Sequence, residues 1–283
     1  MVETTYTILT GATSGIGYET AKKLYASGHF LILGNRNKEK SDKLAEELCQ
    51  MDQTSHFEMI ELDLASFESI KSFTTTVLDR YPVIDTLINN AGVFKRVRDY
   101  TSEGFEMTMG VNYLGTVFLT ECLIKGFHPG SKIIMLSSVG CYWGNIRVKD
   151  NLFYRYINSF KTYFDSKLAN LIYAIELKER LKDKGINVLA ADPGIAYSKI
   201  FKWRSGFGRF LEKIQKRIMK TSEQGSRVVV GLVLETIQVK HGGILVSLKK
   251  TRKLPGKAKN LLKRQMLMEF TNKTISEKIK ANR

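Results

Sequence analysis

Two side chains that could transfer a proton, Tyr163 and Lys167, stand four residues apart in a stretch with helical periodicity. Residues at this spacing share one face of a helix, so the ammonium group can lie beside the phenol. A tyrosine with a pKa of ~10 is a poor base at neutral pH, and a nearby positive charge favours the phenolate and lowers that pKa. The pair therefore indicates acid–base chemistry. Tyr18 and Lys22 have the same spacing, and we interpret that second pair as surface decoration.

A glycine-rich segment, TGATSGIG at residues 10–17, follows a strand-like apolar run and opens a helical stripe. In this context the backbone N–H groups of the turn and of the helix start can bind a pyrophosphate. The spacing is GxxxGxG rather than the GxGxxG of the dinucleotide fingerprint, and glycine-rich loops are common. The segment alone therefore leaves a phosphate-binding turn and a plain turn equally open. The candidate cofactor contacts here are Gly11, Thr13, Ser14, Gly15, Ile16 and Gly17.

The end of the second predicted strand carries a basic residue, Arg36, where many dinucleotide-binding sites carry Asp or Glu. It reads LGNRNK at residues 33–38, and no acidic residue occurs between Glu19 and Glu39. An acid at this position bonds the ribose 2′-hydroxyl of NAD, whereas an arginine can accommodate the 2′-phosphate of NADP. Asn35 and Arg36 therefore favour NADP(H) over NAD(H) as the cofactor. The alternative is that Arg36 is a solvated charge at the start of a helix.

Two more segments follow predicted strands at the edge where doubly wound sheets bind ligands. Asp63, with Leu64 beside it, follows the third strand and could accept a hydrogen bond from an adenine amino group. An acid at a strand end is also a common helix cap. The segment NNAG after the fourth strand is by itself also a turn signal. It supplies the candidate contacts Asn89, Asn90, Ala91 and Gly92.

These segments lie in a regular alternation of strand-like runs and helical stripes. The strand-like runs are residues 5–10, 29–35, 56–61, 85–89, 132–137, 187–192 and 243–247. The helical stripes are residues 15–27, 38–51, 66–81, a part of 101–126, about 160–184 and 221–238. Parallel strands need crossover helices, so the alternation predicts an α/β fold: a Rossmann-type doubly wound parallel sheet with helices on both faces. Gly185 can end the long helix in a left-handed conformation.

Taken together, the motifs resemble those of the short-chain dehydrogenase/reductase family, over nearly the whole chain. TGATSGIG, NNAG, Asn112 in MGVNYLG, Ser138 in IIMLSSVG, the pair Tyr163 and Lys167, and DPG at residues 192–194 occur in the family's order. The resemblance implies that Ser138, rather than its neighbour Ser137, polarises the substrate oxygen and that Tyr163 transfers the proton. It further implies that Lys167 bonds the nicotinamide ribose and lowers the tyrosine pKa, and that Asn112 holds a water in the proton relay. The cofactor contacts it adds are Tyr163, Lys167, Pro193, Gly194, Ile195 and Ser198.

Two passages, residues 166–181 and 221–230, are similar to the retinol-dehydrogenase-like branch of that family, as is the 25-residue interval from Ser138 to Tyr163. Members of that branch usually prefer NADP(H) and act on apolar alcohols or carbonyls, and family members are often homodimers or homotetramers. Its animal enzymes usually carry an N-terminal membrane anchor, which we do not expect here. The loop before Tyr163 is rich in aromatic residues that either line an apolar pocket or pack under the loop: Tyr142, Trp143, Phe153, Tyr154, Tyr156 and Phe160.

Length and composition fit one folded unit, with 283 residues, 43% hydrophobic and 25% charged. We therefore treat residues 1–283 as a single domain, with a cofactor-binding and catalytic core to about residue 198 and a basic lid and C-terminal substrate-side region beyond it. The three cysteines are far apart and form no CxxC pair, so we expect no disulfide framework and no metal. A reducing, cytoplasmic location is expected, because we find no leader and no stretch approaching the roughly 18 apolar residues of a membrane span.

The net charge of +16 is concentrated in the last third of the chain. Residues 1–198 contain 22 basic and 23 acidic side chains, whereas residues 199–283 contain 22 and 5. Such asymmetry suggests an anionic partner, and peripheral contact with an anionic membrane is one option. A basic amphipathic segment, residues 207–220, could lie on such a membrane, but by resemblance it is a lid over the substrate, which we favour. We interpret residues 249–283 as a solvated basic face, with lipid or oligomer contact as the alternative. Nothing here resembles a nucleic-acid-binding module.

The sequence therefore predicts an NADP(H)-dependent oxidoreductase that moves a hydride between the nicotinamide and an apolar alcohol or carbonyl, with Tyr163 as proton donor or acceptor. One alternative is a catalytically silent NADP-binding regulator. The presence of Asn112, Ser138, Tyr163 and Lys167 together argues against it, since a binding module needs no proton donor. The other alternative is a membrane-surface protein that uses its basic C-terminal third.

Overall fold

The computed structural model describes residues 4–51, 56–148, 158–194 and 221–280. Eight strands form one sheet within these ranges: β1 Tyr6–Thr10, β2 Phe30–Asn35, β3 Phe57–Glu61, β4 Ile84–Asn89, β5 Phe127–Leu136, β6 Asn187–Ala191, β7 Leu245–Ser247 and β8 Lys250–Thr251. Their order is β3-β2-β1-β4-β5-β6-β7-β8, parallel from β1 to β7 and antiparallel between β7 and β8. The order runs outward in both directions from β1 and β4, which confirms the doubly wound sheet.

Helices follow the strands along the chain. The described helices are α1 Gly15–Tyr25, α2 Lys38–Met51, α3 Phe67–Arg80, α4 Met107–Met109, α5 Thr116–Leu123, α6 Ser159–Leu181, α7 Ser222–Val233, α8 Gly256–Lys259 and α9 Leu261–Lys280. A six-residue π-helical stretch, Gly110–Gly115, separates α4 from α5. A short 3₁₀ turn, Lys182–Lys184, follows α6 and ends at Gly185, whose φ of +67° is the expected left-handed cap.

Successive residues of the strands point into two separate cores, one on each face of the sheet. Ile8 packs with the core under α3, α5, α6 and α9, whereas its neighbour Leu9 packs with the core under α1, α2 and α7. The same alternation occurs at Leu87 and Ile88 on β4. A sheet buried on both faces leaves its carboxyl edge as the place where polar side chains from successive strands meet.

The C-terminal helix α9 is not the solvated face that the charge pattern predicts. Leu267 and Thr271 are completely buried, and Thr274 and Ile275 are nearly so, at the spacing of one helix face. The Thr271 hydroxyl lies 2.8 Å from the Tyr113 hydroxyl in the π-helical stretch. This side of α9 therefore packs on the core, and only its other side carries exposed charge.

One helical stretch among the described residues, Met107–Gly126, is long and apolar enough to cross a membrane, with a mean hydropathy of 1.2. By length and composition this stretch therefore differs from the expectation that no segment approaches the length of a membrane span. In the structure 78% of this stretch is buried inside the fold, as in a core helix of a globular protein.

Candidate active site

The glycine-rich turn between β1 and α1 lies directly against the turn after β4. Gly11 has a φ of +68°, and a Cβ atom there would lie 2.9 Å from the Cα atom of Ala91. A Cβ atom on Gly17 would lie 2.3 Å from both the Gly11 carbonyl oxygen and the Asn90 side-chain nitrogen. Neither position has room for a side chain, so the glycines allow the close approach of two turns and the helix start.

The start of α1 fits a phosphate group. Helix α1 has no acidic residue in its first turn, and Ser14, which precedes it, makes no capping hydrogen bond through its side chain. The amides of Gly15, Ile16 and Gly17 belong to this first turn and have no acceptor within the helix. Free N–H donors and the positive end of the helix dipole favour an anion. Thr13 lies half-buried in the same turn.

Thr10 and Asn90 hold the two turns together. The Asn90 amide donates to the carbonyl oxygens of Thr10 and Gly11 at 2.8 and 3.1 Å, and the Thr10 hydroxyl accepts from the backbone N–H groups of Asn90 and Ala91. The side chain of Asn90 is therefore occupied with the glycine turn. Thr10 begins the TGATSGIG segment, but the sequence alone assigned it no role, because its partners lie in the turn after β4.

Asn35, Arg36 and Asp63 meet at the ends of β2 and β3. The Asn35 side-chain oxygen accepts from the backbone N–H of Ala12 at 2.8 Å, so this buried residue fixes the glycine turn. Arg36 is 62% exposed and its Nη1 lies 3.8 Å from Oδ2 of Asp63. The other oxygen of Asp63 accepts from the backbone N–H of Ala65 within the turn, whereas the N-cap of α3 is Ser66 rather than Asp63. An exposed guanidinium held at this corner is accessible to a ligand phosphate.

The remaining candidates after β3 and β4 divide into buried and accessible positions. Asn89 is buried and its amide donates to the Thr120 hydroxyl at 3.0 Å, so its side chain faces the protein interior. Leu64 is also buried, and its carbonyl oxygen would lie 2.2 Å from a Cβ atom on Gly115. Gly92 is exposed at the turn. A Cβ atom there would lie 3.3 Å from Oδ1 of Asn112 and 3.8 Å from Nζ of Lys167, so Gly92 borders both groups.

Asn112 lies in the π-helical stretch, which interrupts the regular hydrogen bonding of the helix as is common at functional sites. Its side chain accepts from the Val93 N–H at 2.7 Å and donates to the Val93 carbonyl at 3.0 Å, and so binds the loop after β4. Its own backbone carbonyl accepts from the side-chain amide of Asn170 on α6 at 2.7 Å. Asn112 therefore connects the turn after β4 with α6. Sequence reasoning missed Asn170, which is distant in sequence.

Ser138, Tyr163 and Lys167 come together where β5 ends. Ser138 begins the 3₁₀ turn Val139–Tyr142, its hydroxyl accepts from the Gly140 N–H at 3.1 Å, and it lies close enough to Tyr163 to lower the pKa of the phenol. The ammonium of Lys167 donates to the Leu136 carbonyl at 3.0 Å and lies 5.7 Å from the centre of the Tyr163 ring. Ser137 is buried, whereas Ser138 is partly accessible, in agreement with the choice of Ser138.

Burial dominates the proton affinities of this pair. Burial raises the pKa of Tyr163 to about 12. The neighbouring Ser138 hydroxyl lowers this pKa, and the Asp192 carboxylate raises it further. Burial also lowers the pKa of Lys167 to about 8. The pKa of the phenol is therefore raised overall, because burial outweighs the lowering expected from the nearby lysine. At neutral pH the phenol of Tyr163 is therefore protonated, and the neighbouring Lys167 has a pKa only slightly above neutral pH.

Aromatic rings lead outward from Tyr163. Its ring centre is 5.7 Å from that of Phe94, and Phe94 is 5.1 Å from Phe160, which is 44% exposed. Phe164 contacts both Phe160 and Trp143, and Trp143 is 60% exposed. Of the two interpretations of the aromatic loop, this continuous row favours an apolar surface at the site over packing beneath a loop.

The last candidates lie after β6. Pro193 is buried, and Gly194 adopts a φ of +81° while its N–H donates to Oδ1 of Asp192 at 2.8 Å. A Cβ atom on Gly225 would lie 3.0 Å from the Ile16 side chain and 3.5 Å from Pro193, so this turn meets both α1 and α7. Ile195, Ser198, the segment 207–220 and the aromatic residues Phe153, Tyr154 and Tyr156 lie outside the described residues.

The described residues bring together no group of three or more His, Cys, Asp or Glu side chains that could hold a metal ion. Cys49, Cys122 and Cys141 are free thiols. The donors that do converge at the carboxyl edge are backbone amides, one arginine, hydroxyls and one ammonium, a set suited to a phosphate-bearing organic cofactor.

A glycine-rich turn into a helix at the carboxyl edge of a doubly wound sheet, with a buried lysine beside a tyrosine, defines the class of nicotinamide-dependent oxidoreductases. Residues 5–206 match the family model described as short chain dehydrogenase. The chain belongs to the short-chain dehydrogenase/reductase family, and it is an oxidoreductase that acts on CH–OH or C=O groups with NAD(P).

Relatives of known name place it near one branch of the family. It is 34% identical to retinol dehydrogenase 11 of Mus musculus over 222 residues, which are 78% of this chain and 70% of that protein. It is 39% identical to retinol dehydrogenase 13 of Homo sapiens over 197 residues, 68% of this chain and 59% of that protein. A solved structure from Mycobacterium paratuberculosis, of an uncharacterised protein, is 25% identical, covers 96% and 93% of the two chains and gives a TM-score of 0.76. The chain is thus retinol-dehydrogenase-like.

The burial of Lys167 predicts that this residue lowers the stability of the protein. Its pKa falls from 10.5 to about 8 on folding, so below pH 8 the folded state must keep a buried ammonium charged. We expect Lys167→Met to raise the free energy of unfolding at pH 7 by about 1–3 kcal/mol, at roughly 1.4 kcal/mol per pKa unit. The gain should shrink as the pH rises from about 8 to 10.5, because in this range the folded lysine is already neutral while the unfolded lysine still binds a proton, whose stabilising contribution to the unfolded state weakens as the pH rises. Thermal and denaturant unfolding at pH 7 and pH 10 would measure it.

Lys178→Met is the matched control, since Lys178 lies on the same helix and its ammonium also donates to one carbonyl, that of Gly243, at 2.7 Å. It is only half-buried, so its replacement should give no gain and no comparable pH dependence. A stability difference for Lys167→Met that stays constant with pH would contradict the explanation.

Proposed function

We propose that this protein is an NADP(H)-dependent oxidoreductase of apolar alcohols or carbonyls, with Tyr163 as the proton donor or acceptor. The observation that carries the proposal is the convergence of Ser138, Tyr163 and the buried Lys167 at the carboxyl edge of the sheet. A protein that only binds a dinucleotide needs no such arrangement, so the same convergence argues against a silent regulator.

Each side chain has a distinct proposed role. When bound, the nicotinamide supplies or accepts the hydride. Ser138 is partly accessible and donates a hydrogen bond to the substrate oxygen, which fixes and polarises it. Tyr163 is protonated at neutral pH because its pKa lies at about 12, so it is ready to donate to a carbonyl oxygen in reduction. Oxidation needs the phenolate and should gain from higher pH.

Lys167 and Asn112 support the proton path. We propose that the Lys167 ammonium, charged below pH 8, bonds the ribose of the cofactor as well as Leu136. The Asn112 carbonyl accepts from Asn170, and a carbonyl oxygen has a second lone pair that can hold the relay water implied by the family resemblance.

The cofactor is proposed to lie along the glycine turn. The first-turn amides of α1 would hold the pyrophosphate, Asp63 and Leu64 would border the adenine, and Arg36 would contact the 2′-phosphate. The proposal of NADP(H) depends on Arg36, whose exposed guanidinium already lies at the end of β2. The apolar substrate class depends on the ring row that includes Phe94, Phe160 and Trp143. Enzymes of this family take small substrates and usually form oligomers, and we propose a homodimer or homotetramer here.

Replacing the proposed proton donor should abolish turnover without abolishing cofactor binding. We expect Tyr163→Phe to lower kcat/KM by about 10²- to 10⁴-fold for every active substrate in a panel of aldehydes, ketones and alcohols, which is the usual contribution of a positioned acid. NADPH binding, followed by fluorescence titration, should stay close to that of the wild type. The matched control is Tyr18→Phe, because Tyr18 contacts Lys22 and Glu47 at the surface and should leave turnover unchanged. Near wild-type rates for Tyr163→Phe would exclude Tyr163 as the donor.

Replacing Arg36 should change the choice of cofactor. Hydrogen bonds to a charged group contribute about 1.5–3 kcal/mol, so we expect Arg36→Leu to lower the NADPH to NADH ratio of kcat/KM by about 10- to 100-fold. Lys38→Leu is the control, because it removes an exposed positive charge two residues away that pairs with Asp42. Equal kinetics of the wild type with NADH and NADPH would remove the proposed preference.

A second proposal concerns a peripheral membrane contact and depends on exposed apolar residues at the start of α9. Leu261 and Leu262 are 66% and 65% exposed, and Trp143 is 60% exposed. The ammonium of Lys257 donates to the Gly144 carbonyl and that of Lys263 to the Asn145 side chain, so the start of α9 and the loop after Trp143 lie on the same side. Residues 249–277 contain nine basic and two acidic side chains. Apolar side chains among basic residues suit an anionic lipid surface.

Cosedimentation with vesicles containing phosphatidylserine tests this contact. We expect binding at low salt, weaker binding at high salt, and at least about 10-fold weaker binding of the double variant Leu261→Ser, Leu262→Ser, since each buried leucine contributes about 1.5–3 kcal/mol. Val83→Ser is the control, because Val83 is 48% exposed and lies at the amino-terminal end of β4, away from α9 in sequence. An absence of binding at low salt would dismiss the membrane contact while leaving the enzymatic proposal intact.

A further inference from the structure

We infer that a buried ion pair, Asp192 with Arg252, positions and charge-balances the site behind Tyr163. Arg252 compensates the carboxylate of Asp192, whose preceding residue, Ala191, accepts from the Ser137 N–H at 2.8 Å, and the pair joins the turn after β6 to the turn that begins at Ser138. Both residues would act through Tyr163 rather than on the substrate, so they are positioning residues. The inference rests on the proposed role of Tyr163 as proton donor or acceptor.

Asp192 is held on three sides. It is 1% exposed, its backbone N–H donates to the Val246 carbonyl at 2.7 Å, and its Oδ1 accepts from the Gly194 N–H at 2.8 Å. Its Oδ2 lies 3.0 Å from Nε of Arg252. Neither of these two atoms has a hydrogen-bond partner of good geometry, so the contact is an electrostatic one between ions. A carboxylate this deeply buried is costly unless a positive charge compensates it.

Arg252 reaches the site from the end of the sheet. Its backbone N–H donates to the Leu245 carbonyl at 2.7 Å, which fixes the chain just after β8. The next residue, Lys253, accepts a hydrogen bond from the Tyr142 hydroxyl at 2.6 Å through its carbonyl. Tyr142 is the last residue of the 3₁₀ turn that Ser138 begins. One short segment thus binds both the turn after β6 and the turn that carries the substrate-side hydroxyl.

The charges of the pair act in opposite directions on the groups around them. Burial is the main reason that the pKa of Cys141 lies at about 12, and there Asp192 raises it while Arg252 lowers it. At Tyr163 burial again dominates, and Asp192 adds to the increase. Among the described residues, the charged groups found to act on Tyr163 are Lys167, 5.7 Å from the ring centre, and the Asp192 carboxylate with its partner Arg252. Asp165 lies on the same helix, and Cys141 and Tyr142 lie in the turn after Ser138.

The pair has a chemical consequence in the oxidation direction. Tyr163 must then lose its proton to accept one from the alcohol, and a neighbouring carboxylate without a counter-charge opposes the phenolate. Arg252 reduces this opposition, and without it oxidation should require a higher pH. Removing the Asp192 charge should have the opposite effect. The Arg252 side chain is 30% exposed, so it keeps access to water when Asp192 is neutralised.

The test is the pH profile of kcat/KM for alcohol oxidation in three variants. We expect Asp192→Asn to move the rise in rate to lower pH and Arg252→Met to move it to higher pH, each by about 0.5 unit or more. The double variant should return close to the wild-type profile, and Arg252→Lys should restore most of the Arg252→Met shift. Arg264→Met is the matched control, because Arg264 pairs with Glu176 on α6 from the same C-terminal region but not beside Tyr163.

A second measurement does not depend on turnover. Tyrosinate absorbance is titrated in each variant without cofactor and compared with the same variant carrying Tyr163→Phe, so that the difference reports Tyr163 alone. The same directions of shift are expected, with circular dichroism confirming that each variant is folded. Should Arg252→Met fail to fold, Asp192→Asn and Arg252→Lys still decide the matter.

Unmoved profiles and titrations in folded variants, even with a lower kcat, would show that the pair is only structural and would overturn the inference. The proposed function fails by a separate result, namely full activity of Tyr163→Phe. The two failures are therefore distinguishable.

Discussion

The buried ammonium of Lys167 is the contact on which the geometry of the candidate site depends. A positive charge that is 4% exposed must find an acceptor inside the protein, and it finds the carbonyl of Leu136, the last residue of β5. Ser138 lies two residues after Leu136 along the chain, and Tyr163 precedes Lys167 by one turn of α6. One hydrogen bond therefore fixes the register of a mostly buried helix of 23 residues against the central strand. That register brings the phenol to the hydroxyl.

Whether the sequence could predict a feature depends on how far apart in sequence the contacting residues are. The periods of strands and helices, and the four-residue spacing of Tyr163 and Lys167, are local, and both are found in the structure. Thr10, Asn170 and Arg252 take part through partners tens of residues away, so their roles cannot be recognised from the local sequence even where it belongs to a motif, as at Thr10. The net direction of the shift in the tyrosine pKa could not be predicted for a related reason. A neighbouring charge can be recognised from spacing, whereas burial is a property of the whole fold and here outweighs it.

The C-terminal region shows how two sequence signals can compete. Its charge indicates a solvated face, but Leu267, Thr271 and Ile275 recur at the spacing of one helix face, and this weaker apolar pattern decides how α9 packs. Lysine and arginine side chains can cover such a helix while their stems lie along apolar surface, so a strong net charge does not exclude a packed side. The same packing brings Arg252 and Tyr142 to the candidate site. The region that carries the excess charge thus also contacts the turn after β6 and the turn that begins at Ser138.

The distribution of buried charge supports a functional reading of this edge of the sheet. Among the described residues the buried charged side chains are Glu106, Asp165, Lys167 and Asp192, and all four surround the segments that carry Asn112, Tyr163 and Ser138. Buried charges are expensive, and their concentration at one place is typical of functional sites. Asp165 has Arg147 as its counter-ion and Asp192 has Arg252, whereas Lys167 donates only to a neutral carbonyl. The two acids are thus compensated by half-buried arginines, and the lysine charge is left to act on the phenol and on a bound ligand. Two of the three buried carboxyl groups are therefore compensated, which limits the negative charge that burial places near the segment carrying Tyr163.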